Sequence, residues 1–371
     1  MTSFIPPKRI LMGPGPSNVH PRVLEAMARP TIGHLDPKFI ELMDEIKELL
    51  KYAFQTNNEV TFAVSGPGSV GMETCLVNLV EPGSKVLVCI NGVFGGRMKS
   101  IVERCGAEAI VVSMPWGRAI DPQLFEEMLN KNKKINVCSF VHAETSTGAK
   151  SDIKTLAEIA HRYNCIVITD TVTSLGGIPV LIDEWNIDVS YSGSQKCLSC
   201  PPGLSPVTFN ERAIELIKKR KTPVQSWFMD LNLILSYWGG STKRVYHHTA
   251  PINSLYALHE SLLLLKEEGI ENSWKRHKKN GEKLVNELEK IGLKPFVKAE
   301  ERLPQLTSIS IPEGIDEAKV RASLLNDYNI EIGAGLGELA GKVWRIGLMG
   351  YSSNEENINS CISALKNILD K

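Results

Sequence analysis

The 371-residue chain is long enough to bury a sizeable core and to divide into two domains, or one large domain with a smaller appendage. Its 42 basic and 42 acidic residues cancel with no long run of either sign, which argues against a nucleic-acid or membrane-surface protein. No apolar run approaches the roughly 18–20 residues that span a bilayer. The opening MTSFIPPKRILMGPGPSN has neither an h-region nor an Arg/Ser-rich amphipathic stretch, and the closing Leu-Asp-Lys is no S-K-L-type address, so the expected location is the cytoplasm.

Phe39, Leu42, Met43, Ile46, Leu49, Leu50 and Phe54 share one face at helical spacing, which predicts a helix over 37–54. Short apolar strands are expected at 61–64, 85–90, 109–113, 135–141, 165–170, 188–191 and 205–209. Helices at 121–130 and 152–163 lie between them, with Asp121 and Asp152 as N-caps. This alternation predicts an α/β domain with a mostly parallel sheet covered on both faces. Two long helical patterns follow at 252–268 and 271–291. Beyond them come strands at 306–311, 329–333 and 342–348 with helices at 316–326 and 354–369, the pattern of a smaller α+β domain. The expected division is 1–268, an N-terminal arm and large domain, and 269–371, a small C-terminal domain.

Eight cysteines are scattered through apolar segments and read as reduced, buried small hydrophobes. Cys197 and Cys200 have C-x-x-C spacing, but no second pair and no histidines at ligand spacing accompany them, so no metal is expected. His247 and His248 are adjacent, and neighbouring residues point in different directions. The pair therefore reads as a poor metal site and a better hydrogen-bonding or dimer-contact pair.

The stretch TFAVSGPGSVGMETCLVNLV (61–80) contains G-x-G-x-x-G at Gly66, Gly68 and Gly71, after a strand and before a helix. A dinucleotide site also requires a carboxylate about 20 residues on, at the end of the next strand. Asn91 stands there instead, and Pro67 removes one backbone N–H. The turn therefore suits a single phosphate at a helix N-terminus, with Ser69 adding a hydroxyl, or it is simply a tight packing turn.

Two further features lie on the same predicted sheet. CIVITDTVTSLGG (165–177) ends a strand in Asp170, and DVSYSGSQKCLSCPPG (188–203) leads a strand into a small-residue turn carrying Gln195 and Lys196. A phosphate cup, a strand-end Asp and a loop Lys are the parts that hold pyridoxal 5'-phosphate (PLP): the Asp pairs with the ring nitrogen and the Lys forms the Schiff base.

The same residues belong to a longer series: LMGPGPSN (11–18), VSGPGS (64–69), NGVFGGR (91–97), ETSTG (144–148), DTVTSLGG (170–177), YSGSQK (191–196), YHHTAP (246–251) and GKVWRIGLMG (341–350). In this series the sequence resembles the class V PLP-dependent aminotransferases, and among them the alanine–glyoxylate and serine–pyruvate group, over nearly the whole chain. The resemblance implies an aspartate aminotransferase-like PLP-dependent transferase fold and a homodimer with shared sites. It makes Lys196 the Schiff-base lysine and proton carrier and Asp170 the partner of the ring nitrogen. Val172 would pack beneath the ring, Phe94 would stack on it, and Thr145 would hydrogen-bond its hydroxyl. Gly68, Ser69 and Gln195 would bind the phosphate, and Tyr246 and Thr249 would reach the phosphate of the neighbouring subunit. Arg345 would clamp the substrate carboxylate, Gly13 would line the pocket through its backbone, and His34 in GHLDP would stand at the substrate entrance.

This chain departs from the family pattern at Phe94, where Trp is frequent, at Ser69, where vertebrate-like members carry His, and at the C-x-x-C after Lys196, which receives no role. The implied reaction is ping-pong transamination from alanine or serine to glyoxylate or pyruvate. The alternatives are a transaminase for 3-hydroxykynurenine or another aromatic amino donor, a PLP lyase such as a cysteine desulfurase, a non-enzymatic protein that keeps the fold, and an NAD-dependent dehydrogenase. A desulfurase needs a mobile cysteine in the C-terminal part, where the only one is Cys361 inside a helical run.

Overall fold

The structure is a computed structural model that describes residues 2–239 and 244–370. The helix Pro37–Phe54 forms where the apolar stripe predicts it. Asp36 caps its start by accepting from the Lys38 N–H at 2.8 Å, and Gln55 ends it in the left-handed region at φ 53°. Its buried face, from Phe39 to Phe54, packs against the helix Ile252–Glu268. Asp121 and Asp152 cap the helices Pro122–Lys131 and Ile153–Arg162 through Gln123 and Thr155.

Seven strands make the main sheet, in the order Val60–Ser65, Leu204–Phe209, Val189–Tyr191, Ile166–Asp170, Ile135–Val141, Lys85–Ile90 and Glu108–Ser113. Leu204–Phe209 runs antiparallel to both neighbours, and every other pairing is parallel. The central strands are apolar without alternation because helices cover both faces. Four of the described helices lie outside the expected pattern: Val93–Arg104, Pro21–Met27, Glu211–Lys218 and Leu231–Trp238. The first carries Gly95 and Gly96 in its opening turn, which weakens its helical signal. Gly95 is nonetheless needed, because a Cβ there would stand 2.5 Å from the Cys89 carbonyl oxygen.

A second hydrophobic core gathers around Trp344 and Ile346 of an antiparallel three-stranded sheet, Leu306–Ser310, Val343–Gly347 and Gly333–Ala334. The helices Ile270–Lys290, Glu317–Asp327 and Glu355–Leu369 cover it with Leu284, Leu288, Val320, Leu324, Ile358 and Leu365. Each such side chain contributes about 1.5–3 kcal/mol by leaving water. Gly269, at φ 81°, separates the helices Ile252–Glu268 and Ile270–Lys290. The N-terminal arm joins this second core: Ile10–Leu11 pairs in parallel with Ile330–Glu331, and Met12 is buried among its residues. The arm then crosses back, since the Ser17 N–H donates to the Gln195 carbonyl at 2.9 Å. The Gly13–Pro16 turn thus spans from one sheet to the other. No helix among the described residues is long and apolar enough to cross a membrane.

Candidate active site

The site lies at the carboxyl ends of the parallel strands, where an open α/β sheet leaves a crevice. Asp170 ends its strand between Val141 and Tyr191 and is 2% exposed. Its Oδ1 accepts from the Val172 N–H at 2.8 Å and its Oδ2 from the Tyr191 hydroxyl at 2.7 Å. Burial pushes this carboxyl up to about 7, against the pull of those two donors.

Lys196 follows the next strand over and is 9% exposed. Its Nζ donates to the Pro14 carbonyl of the N-terminal turn, and its own carbonyl accepts from Ser17 Oγ at 2.8 Å. Gly15, at φ 102°, lies so close that a Cβ would stand 2.5 Å from Lys196 Cδ. Burial, reinforced by the Arg345 charge, pulls the amine down to about 8.

Gly68 opens the helix Gly68–Leu79. A Cβ there would stand 3.2 Å from Val172 Cγ2, so the helix start rests on the residue two beyond Asp170. Gly71 lets the same helix lie on Ser205 and Tyr191, a packing role. Ser69 Oγ accepts from Arg97 Nη1 at 2.8 Å, and the Arg97 guanidinium carbon lies 5.1 Å from the Phe94 ring centre. Gln195 Oε1 is buried without a hydrogen-bond partner among the described residues.

From the other sheet comes Arg345, which is 6% exposed and pairs with Ser308 and Gly333. Its Nε donates to the Ala334 carbonyl at 2.7 Å and its Nη1 to the Thr145 carbonyl at 3.0 Å. Burial pulls its guanidinium down to about 10. Thr145 belongs to the loop after the central strand, next to the fully buried Glu144. Gly13 completes this wall: a Cβ on Gly347 would overlap the Gly13 carbonyl oxygen, and a Cβ on Gly13 would stand 3.7 Å from the Gly333 backbone nitrogen.

Lys196, Asp170, Val172, Gly68, Gln195, Thr145, Arg345 and Gly13 are therefore linked through their contacts and their neighbours. His34 and Tyr246 belong to a different cluster, and Thr249 follows His248 of that cluster along the chain. The His34 ring lies 5.2 Å from Tyr246 and 6.4 Å from Tyr237. Tyr246 is 58% exposed and Thr249 is exposed. His248 ties this cluster to the glycine-rich turn through Ser65 Oγ at 2.7 Å. The two adjacent imidazoles do not diverge as their spacing suggests: His247 Nδ1 and His248 Nδ1 lie 2.8 Å apart, because His247 stacks on Trp227 and turns inward. They share a hydrogen bond, and burial pulls His248 down to about 4. Cys197 and Cys200 are free buried thiols, and burial pushes Cys197 up to about 12, away from the thiolate that redox chemistry needs. Cys361 is buried within the closing helix.

Sequence reasoning passed over Tyr191, Glu144, Pro14 and Arg97. The first two stand inside YSGSQK and ETSTG; the Tyr191 hydroxyl meets Asp170 on the neighbouring strand, and the Glu144 carboxyl meets Ser146 of its own loop and the start of the helix Val93–Arg104.

Residues 10–358 match the family model for class-V aminotransferases, and the chain belongs to that family. Fold and family together imply an enzyme class that depends on pyridoxal phosphate. The chain is 44% identical to the alanine–glyoxylate aminotransferase of Rattus norvegicus over 365 residues, covering 98% of this chain and 88% of the rat protein. Its structure superposes on that of the alanine–glyoxylate aminotransferase from Nostoc sp. with a TM-score of 0.97 and 48% identity, over 100% of this chain and 97% of the other. The ureidoglycine–glyoxylate aminotransferase of Bacillus subtilis matches at a TM-score of 0.96 and 38% identity, over 99% and 94%.

Proposed function

We propose that this aminotransferase holds PLP at Lys196 and moves an amino group from alanine or serine to glyoxylate or pyruvate. The observation that carries this reading is a buried lysine amine, pulled down to about 8, in one crevice with a buried carboxylate and a buried guanidinium. Such groups seldom lie together in a protein interior without a ligand to use them.

The residues present fit the cofactor. Gln195 Oε1 has no hydrogen-bond partner among the described residues to hold the amide in place, so the side chain can turn its NH2, the group able to donate, toward a phosphate, and the absent Cβ of Gly68 leaves the helix start open beside Val172. Gly68, Ser69 and Gln195 would hold the phosphate, Asp170 the ring nitrogen, Thr145 the ring hydroxyl, and Phe94 and Val172 the ring faces. PLP supplies an aldehyde that captures the amino group and a ring that accepts the electron pair released at the α-carbon.

The protein's own groups then divide the work. Arg345 orients the substrate carboxylate with the N–H groups that the Ala334 and Thr145 carbonyls leave over. An amine poised near 8 has a neutral fraction at neutral pH, so Lys196 Nζ would take the proton from the substrate α-carbon and hand it to the carbon that carried the cofactor's aldehyde, the shift that leaves the amino group with the cofactor. Asp170, held by Tyr191 and Val172, would face the ring nitrogen, whose positive charge when protonated would favour the carboxylate against the burial that raises it to about 7. Gly13 and Pro14 close the crevice from the N-terminal side.

Glyoxylate is the acceptor best supported, because the relatives named for alanine and for ureidoglycine share it. The exposed Tyr246 and Thr249 would reach the phosphate of a second copy, which makes the working unit a homodimer. Mixing Lys196→Ala with Thr249→Ala subunits should then regenerate one intact site per hybrid.

The purified protein should be yellow, and its borohydride reduction tests the central assignment. Lys196→Ala should lose the reducible cofactor, and a full reducible complement in that variant overturns the reading. A half-reaction screen, following the visible absorbance on addition of alanine, serine and 3-hydroxykynurenine, ranks the donors.

A further inference from the structure

Glu144 has no part in the reaction outlined above, yet it is a fully buried carboxyl beside the site. It ends the short strand Ala143–Glu144, immediately before Thr145. Its Oε1 accepts from the Ser146 N–H at 3.1 Å and from Ser146 Oγ at 2.6 Å, and its Oε2 accepts from the Phe94 N–H at 3.2 Å. Ser146 Oγ in turn accepts from the Val93 N–H at 3.0 Å. Three donors thus converge on one carboxylate, and two of the backbone N–H groups in this knot open the helix Val93–Arg104.

The packing is specific to this arrangement. A Cβ on Gly92 would stand 2.5 Å from Glu144 Cδ, so any other residue there would push the carboxylate off the helix start. On its far side the same loop meets Arg345, whose Nη1 donates to the Thr145 carbonyl. One residue therefore links the backbone of Phe94, in the large sheet's crossover, to the segment that holds Arg345, in the second sheet.

We propose that Glu144 is a positioning residue that fastens Phe94 and the Thr145–Arg345 contact into one rigid unit around the cofactor; this rests on the PLP reading above. A carboxylate can serve all three donors, but an amide cannot. Whichever way the shortened acceptor set of Glu144→Gln turned, its NH2 group would face either the Phe94 N–H or the Ser146 N–H, and one donor would be left unpaired. The start of the helix would shift, and the Phe94 ring with it.

The test is a double-mutant cycle read as the dissociation constant of PLP from the refolded apoprotein, with apoprotein melting followed in parallel. Glu144→Gln should weaken PLP binding about tenfold in the Phe94 background and change it less than about twofold in the Phe94→Ala background. Ser146→Ala, a milder change, should weaken binding about threefold, and Glu144→Gln should raise KM for the amino donor more than it lowers kcat. Equal losses of PLP affinity in both backgrounds, or an unchanged dissociation constant in both Glu144→Gln and Ser146→Ala, overturn the proposal while leaving the cofactor assignment standing. Wild-type apoprotein that fails to bind PLP overturns both.

Discussion

Tyr191 donates its phenolic proton to Asp170 Oδ2 at 2.7 Å from the neighbouring strand, and the two residues are register partners. This bond favours the ionised carboxyl, while burial, the larger influence, favours the neutral one. Removing the hydroxyl in Tyr191→Phe leaves burial less opposed, so Asp170 holds its proton to a higher pH. PLP binding to the apoprotein should weaken about tenfold near neutrality, with its acid limb displaced upward by about one pH unit. An unaltered pH dependence of binding would show that Tyr191 does not tune Asp170.

Lys196 carries a stability signature of its own. Its folded-state amine is depressed from 10.5 to about 8, so the folded protein binds fewer protons than the unfolded chain between those values. The burial penalty is therefore fully present below about pH 8 and fades as pH rises toward 10.5. Replacing the charge by Lys196→Met should raise apoprotein stability at about pH 7 by on the order of 1–3 kcal/mol, and the advantage should shrink from about pH 8 upward and be gone by 10.5. Melting of the two apoproteins across pH checks both the sign and the window.

Gly15→Ala should damage the site without touching either core. At φ 102° an alanine is strained by roughly 1–2 kcal/mol, and its Cβ would overlap the Lys196 side chain. Borohydride trapping of PLP should fall severalfold while the far-UV circular dichroism stays unchanged; full trapping would mean that the turn yields.

Arg345→Ala should raise KM for both the amino donor and the 2-oxo acid by about 10–100-fold, the value of one or two charge-assisted hydrogen bonds. Arg345→Lys should recover only part of this, because a lysine cannot serve the Ala334 and Thr145 carbonyls and a carboxylate together. Steady-state kinetics with each substrate varied distinguishes a clamp from a purely structural arginine, whose loss would lower kcat and stability with KM unmoved.

Much of the fold was legible as periodicity. The helical stripe from Phe39 to Phe54 and the unbroken apolar strands are local patterns, and the structure carries them with their Asp36, Asp121 and Asp152 caps in place. The helix Val93–Arg104 was not legible, because Gly95 and Gly96 depress its propensity and the reason for Gly95 is the Cys89 carbonyl beneath it. The convergence of His247 and His248 was hidden for a similar cause: stacking on Trp227, well separated along the chain, turns the ring.

The sequence by itself determined the chemical parts of the proposed site, because a strand-end Asp170, a loop Lys196, a glycine-rich helix start and Arg345 occur in ordered motifs whose residue types suit the proposed chemistry. Only the tertiary structure decided what state those parts are in. Tyr191, Pro14 and Thr145 reach them from other strands and loops, and the depressed amine of Lys196 and the raised carboxyl of Asp170 arise from burial between two sheets. Desolvation depends on everything packed around a group, and no spacing along the chain encodes that.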